Sequence, residues 1–162
     1  PRRAYWFDVQ VSHPGKITET GGKVAALALA SIGRPEYCTV VVDAIGVGSS
    51  PVDFMRGVGL RVVAFVASGK ANYVDRSGRL HFANLKAWAA WCLREALDPD
   101  HGSEIAIPDD AELTSDLLGY RFGVGVNGIR LVPKDETHVR SPDKGYSLLL
   151  AAGPMTSPQF TG

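Results

Sequence analysis

Two short apolar runs, residues 39–42 and 61–67, limit what this chain can fold into more than any other feature. The first, Thr39-Val40-Val41-Val42, is β-branched throughout and shows no alternation of polar and apolar positions. Such a run suits a strand covered on both faces, as in a parallel sheet, whose crossover helices shield it. The Gly-rich segment 44–50, followed by a short helix opened by Pro51 and reaching about Val58, supplies that crossover. The expectation is a βαβ unit of right-handed crossover, with Asp43 ending its first strand.

The flanking segments extend this pattern. Residues 5–11 set Tyr5, Phe7, Val9 and Val11 against Trp6, Asp8 and Gln10, the alternation of a strand. Val24, Leu27, Ala28 and Ile32 predict a helix over 18–32, stopped by Gly33 and Pro35. Residues 72–78 read as a polar loop. Asn84 can cap a helix whose inner face takes Leu85, Trp88, Cys92 and Ala96, ended by Pro99 and Gly102; Trp88 and Trp91 are read as core. Residues 105–108 read as extended, and Asp109 or Asp110 starts a helix through Leu118. Gly123, Gly125 and Gly128 predict a hairpin over 121–132 that leads into a strand at 129–132. Residues 142–152 form a last helix, and 154–162 a flexible tail. One domain, 1–153, is the expectation for a chain of 162 residues.

Composition narrows the class. An apolar share of 45% and a charged share of 21% permit a real core and exclude a coiled coil or collagen. Seventeen basic and seventeen acidic residues cancel, so a polyanion must be held by a local patch rather than by an overall field. The two cysteines, Cys38 and Cys92, in apolar surroundings point to buried thiols in a reducing compartment, with cytoplasm as the expected location. No apolar run is long enough for a bilayer, and no signal-peptide pattern opens the chain, so no membrane partner is expected. The first residue is Pro1, which suggests a piece of a longer product.

Two acidic positions carry the chemistry. Asp43 stands where open α/β sheets place their ligands, although it can equally bond amides of the Gly-rich loop that follows. Lys134-Asp135-Glu136 and Arg140-Ser141-Pro142-Asp143-Lys144 form a mixed-charge cluster after a strand and at a helix start. With Pro142 in the first helical turn and Ser141 as its cap, Asp143 is fixed at that start; complementing the helix dipole, or a solvated charged face, are the plain alternatives. Two such acids can share Mg²⁺, which prefers carboxylate and water oxygens. The other motifs are weaker. Gly46-Val47-Gly48 lacks the third glycine of a dinucleotide fingerprint, and no Walker loop is present. His13, His81, His101 and His138 lack zinc-site spacing, and Ser49 and Ser50 lie in no nucleophile elbow.

A longer pattern runs through most of the chain. It comprises Val40-Val41-Val42-Asp43-Ala44-Ile45-Gly46-Val47-Gly48, Phe65-Val66-Ala67-Ser68-Gly69-Lys70-Ala71 and Phe82-Ala83-Asn84-Leu85-Lys86-Ala87-Trp88. Then come Leu93-Arg94-Glu95-Ala96-Leu97-Asp98-Pro99, Ile107-Pro108-Asp109-Asp110-Ala111-Glu112-Leu113, Lys134-Asp135-Glu136 and Ser141-Pro142-Asp143. In order and spacing, this resembles the carboxy-terminal nuclease domain of the large terminase subunit of tailed bacteriophages and prophages. The resemblance implies a ribonuclease-H-like α/β fold: a mixed central sheet flanked by helices, with acids around a two-metal site of Mg²⁺ or Mn²⁺. It also implies an endonuclease that cuts concatemeric viral DNA in the bacterial cytoplasm. The implied partners are double-stranded DNA, a terminase ATPase domain that alone uses ATP, the small terminase subunit and the portal.

By the same resemblance, Asp43 and Asp143 are the catalytic metal ligands. Lys134 contacts phosphate or pairs with a neighbouring acid, and Asp135 and Glu136 are auxiliary acids. Arg121, Arg130, Arg140 and Lys144 are the expected DNA contacts. The chain departs from the family in three ways. It starts after the strand that bears the family's first catalytic Asp, for which Asp8 is a poor substitute. Only residues 137–140 separate the two late motifs, and Tyr146 stands where many relatives carry a further Asp. These departures favour the alternative of a catalytically dead prophage remnant or a DNA- or portal-binding module of the same fold. A nucleotide-binding domain using Gly46 and Gly48 is a third reading.

Overall fold

In the unit formed by residues 12–67, the described residues include a parallel ladder with a crossover helix packed on it. The computed structural model describes residues 5–6, 23, 26, 30, 39–44, 50–101, 105–132 and 142–156. Strand β2 (Thr39–Asp43) pairs in parallel with β3 (Arg61–Phe65), in register from Thr39 opposite Arg61 to Asp43 opposite Phe65. Helix α1 (Ser50–Gly57) makes the crossover. It turns Val52 and Met55 inward against Leu60 and Val62, with Val40 and Val42 packed on them. Each such side chain stabilises the unit by about 1.5–3 kcal/mol relative to exposure. The expectation of strands covered on both faces is met only in part: β2 is half-buried from Val40 to Asp43, whereas in β3 both Val62 and Phe65, which point to opposite faces, are buried. Within the expected helix 18–32, Lys23, Ala26 and Ala30 are helical and exposed; its apolar positions lie outside the described residues.

The second unit joins residues 1–11 to 68–162. Strand β1 (Tyr5–Trp6) pairs in parallel with β4 (Ile105–Ala106); the rest of the expected first strand, residues 7–11, lies outside the described residues. Helix α2 (Leu85–Leu97) starts where expected, because the Asn84 side chain accepts the Ala87 N–H at 2.9 Å and so satisfies a first-turn donor. Its buried surface is broader than one stripe: Ala87, Trp88, Ala89, Ala90, Leu93, Glu95 and Ala96 are all inside, and Leu85 and Cys92 are only half-buried. Periodicity misleads here because α2 packs against several elements at once, and small alanine side chains let each approach closely. Glu95 is tolerated inside because its Oε1 accepts the Trp91 Nε1–H at 3.1 Å.

Helix α3 (Ala111–Leu118) is capped by Asp110, whose Oδ1 accepts the Leu113 N–H at 2.8 Å. Strands β5 (Phe122–Gly125) and β6 (Gly128–Leu131) form the expected antiparallel hairpin. Helix α4 (Asp143–Thr156) follows, packs against α2 and α3, and continues past residue 154, where the tail was expected to begin. Trp91 meets Phe122 edge-on at 5.1 Å, which seats the hairpin beside α2.

Gly128 illustrates why the hairpin needs its glycine. Its φ is +98°, and a Cβ there would lie 2.4 Å from the His81 carbonyl oxygen, which accepts the Ile129 N–H at 2.8 Å. Gly128→Ala is therefore expected to cost at least about 2 kcal/mol, combining left-handed strain with a backbone clash. Asn84→Ala should cost about 1 kcal/mol through the lost cap. Urea unfolding of the two variants checks both values and their order.

Candidate functional site

Asp43 is the last residue of β2, opposite Phe65. The Ala44 N–H donates to the Phe65 carbonyl at 2.9 Å, so the chain holds its strand direction through the acid. The carboxylate is half-buried at the carboxyl end of a parallel strand, the position at which open α/β sheets bind ligands. The loop residues Gly46, Gly48 and Ser49, invoked by the alternative readings, lie outside the described residues.

Asp143 opens α4 and is exposed. The buried Pro142 precedes it, and the Pro142 carbonyl accepts the Tyr146 N–H at 2.7 Å, closing the first turn. Pro142 was expected inside that turn with Ser141 as cap. The helix instead begins at Asp143, and Ser141 lies outside the described residues. The Gly145 N–H donates at 3.1 Å to Oδ2 of Asp116 on α3. Asp116 is only 1% exposed. The sequence reading missed it, although the signal is there: Leu113, Asp116 and Leu117 share one helical face, so a carboxylate occupies an apolar-face position. Beside it, the Tyr120 hydroxyl is buried with no hydrogen-bond partner among the described residues, and burial, reinforced by the Asp116 and Tyr146 charges, pushes it far above its ordinary range.

Lys144, expected among the DNA contacts, is engaged by the start of α3. Its ammonium lies 2.6 Å from Oδ2 of Asp110 and 2.9 Å from Oε2 of Glu112, with the side chain only 17% exposed. Two carboxylates at the start of α3, those of its cap Asp110 and of Glu112, engage it. The hydrogen bond from Lys144, followed by that from the Leu113 amide, holds the Asp110 carboxyl below its ordinary range. The hydrogen bonds to Asp110 and Glu112 hold Lys144 above its own.

The remaining candidates separate. Arg121 is exposed, and its Nη1 donates to the carbonyls of Leu118 and Tyr120, closing the end of α3. Arg130 is exposed on β6, with its stem across Gly123 and Gly125. Lys134, Asp135, Glu136, Arg140 and Asp8 lie outside the described residues. Tyr146 carries the Lys86 ammonium 4.7 Å from its ring centre. Trp88 is core, stacked on Tyr73 at 4.4 Å, whereas Trp91 is half-buried under the Arg94 guanidinium. An open cleft of about 460 Å³ lined by Leu93, Leu97, Leu118, Tyr120 and Phe122 includes neither Asp43 nor Asp143.

The donor chemistry at Asp43 and Asp143 fits a hard divalent cation: both offer carboxylate oxygens at element ends with access to solvent. Among the described residues, no three His, Cys, Asp or Glu side chains gather as a ligand group. No helix among them is long and apolar enough to cross a membrane.

No family model matches the chain, and no curated protein matches it. Solved structures do. A mutant nuclease domain of the large terminase subunit gp2 of bacterial virus Sf6, with manganese and beta-thujaplicinol, superposes with a TM-score of 0.61 at 19% identity. That match covers 86% of this chain and 73% of the other. The large terminase nuclease from thermophilic phage G20c, with bound magnesium, gives 0.54 at 16% identity over 86% and 61% of the two chains. This chain thus resembles large-terminase nuclease domains in structure and has their ribonuclease-H-like α/β fold, as its motifs implied.

The tie between Lys144 and α3 has a defined pH window. Asp110, with its folded pKa lowered, contributes above its unfolded value and loses that contribution as pH falls through the folded one; Lys144, raised, contributes until pH climbs through its folded value. The stability difference between wild type and Lys144→Met is therefore expected to stay flat from roughly pH 5 to 9 and to shrink below about pH 4 and above about pH 11. Urea unfolding across pH tests this; a difference that persists in acid would show that pairing with the Asp110 and Glu112 carboxylates is not what Lys144 contributes.

Proposed function

We propose that this chain is the divalent-metal-dependent DNA endonuclease domain of a phage packaging terminase, cutting concatemeric viral DNA. The observation that carries the reading is Asp43 at the carboxyl end of a parallel strand in a fold shared with nuclease domains crystallised with manganese, cobalt or magnesium. Asp43 and Asp143 would hold Mg²⁺ or Mn²⁺ through their carboxylates, with Asp135 and Glu136 as auxiliary acids. When bound, such ions supply an activated water and charge neutralisation at phosphorus. The strand end holds the backbone at Asp43, and the closed first turn of α4 holds it at Asp143. Arg121, Arg130, Arg140 and Lys144 contact the DNA backbone, Lys134 a phosphate, and binding weakens steeply with salt. The ATPase domain, small terminase subunit and portal are the proposed partners in the bacterial cytoplasm.

One observation favours a second reading, a catalytically dead module of the same fold. Tyr146 occupies the position at which the resemblance expects a further acid, and its ring lies under Lys86. Cleavage of supercoiled plasmid with Mn²⁺, by this chain and by a longer protein that carries it, separates the two. Asp43→Ala and Asp143→Ala are each expected to slow cutting at least about 100-fold, equivalent to about 2.7 kcal/mol of transition-state stabilisation. Cutting undiminished by either change overturns the assignment of that acid. No cutting by either protein, with no Mn²⁺-induced rise in melting temperature, establishes the second reading.

A further inference from the structure

The first turn of a helix leaves amide donors that are normally satisfied by the side chain of the residue just before it. At α4 that residue is Pro142, which has no side-chain acceptor. The Gly145 amide is satisfied instead from another helix, by the buried Asp116 carboxylate at 3.1 Å. The contact requires an unusually close approach of backbones. A Cβ on Gly145 would lie 2.8 Å from the Asp116 Cβ and 3.4 Å from the Asp116 carbonyl carbon. Glycine is a poor helix former, so its presence in this turn is explained by the approach rather than by helix propensity. One residue earlier, Lys144 is bound by Asp110 and Glu112, at the start of the same helix α3.

Two consecutive residues after Asp143 are thus tied to α3, one through its main chain and one through its side chain. We propose that Asp116 and Gly145, assisted by Lys144, are positioning residues that hold the start of α4 on α3 and thereby set the Asp143 carboxylate for divalent-cation binding. This rests on the reading of Asp143 as a metal ligand. Asp116 itself is enclosed and touches the cation site only through the helix it caps. Groups that orient a ligand from behind alter metal affinity without contacting the ion.

The test is Mn²⁺ binding to the 162-residue chain by isothermal titration calorimetry, with circular dichroism and melting temperature as folding controls. Asp143→Ala should abolish or greatly weaken binding. Gly145→Ala, a wedge between the helices, and Asp116→Ala, which removes the acceptor, should each raise the Kd about tenfold or more. Asp116→Asn keeps an acceptor oxygen and should restore most of the affinity, which loss of bulk stability alone would not produce. Lys144→Met covers the case in which the buried variants do not fold, because its ion pairs are peripheral. Removing a positive charge beside Asp143 would by charge alone tighten Mn²⁺ binding, whereas loss of positioning weakens it. If Asp143→Ala weakens binding while folded Gly145→Ala binds like wild type, or while Lys144→Met binds as tightly or more tightly, positioning is overturned and the metal reading stands. If wild type and Asp143→Ala bind Mn²⁺ equally, or neither binds, the metal reading fails and positioning fails with it.

Discussion

Close approach between backbones is the constraint on which the larger unit depends. Helix α2 meets several elements because Ala87, Ala89, Ala90 and Ala96 present almost no side chain to keep them apart. Gly145 lets α4 lie against the backbone of α3 at Asp116, and Gly128 lets the hairpin lie against the His81 carbonyl. Dense packing of this kind gains dispersion from many short contacts and leaves little room for added volume. Bulk is confined to a few anchors, among them Trp88, Leu113 and Leu149, each no more than 2% exposed.

Charge is handled by local pairing. A formal balance of seventeen against seventeen gives no field to exploit, and the described charges are largely consumed by neighbours. Asp110 caps its own helix with one oxygen and holds Lys144 with the other. Glu95 holds the Trp91 indole and lies 3.9 Å from Arg76. Arg121 is directed to backbone carbonyls at the end of α3. Arg130, exposed on the hairpin, is one contrasting case among the described residues.

Much of the fold was legible because local signals and tertiary packing agree. Asn84 and Asp110 are short polar side chains directly before apolar-periodic segments; Asn84 caps as read, and of the two candidates Asp109 and Asp110 it is Asp110 that caps. The unbroken runs around α1 pair in parallel, and Asp43 ends its strand as the run predicts. Three features were not legible for a common reason. The breadth of the buried face of α2, the half-buried β2, and the engagement of Lys144 depend on which elements come together, and periodicity along one segment is silent on that. Asp116 sits between. Its place on an apolar face was visible, but its partner, the Gly145 amide 29 residues away, was not. The motif resemblance reached the fold through the order of its segments, a kind of information that no single segment carries.

The capping of α4 from α3 has a consequence for assembly. A helix starts most readily when its own sequence closes the first turn, because ordering that turn is the unfavourable step. Here the Pro142 carbonyl closes the first turn locally, but the donor at Gly145 is met by a carboxylate supplied from a distant part of the chain. The turn bearing Asp143 is thus completed by docking on α3. In a nascent chain that acid gains its full setting only once α3 has folded beneath it.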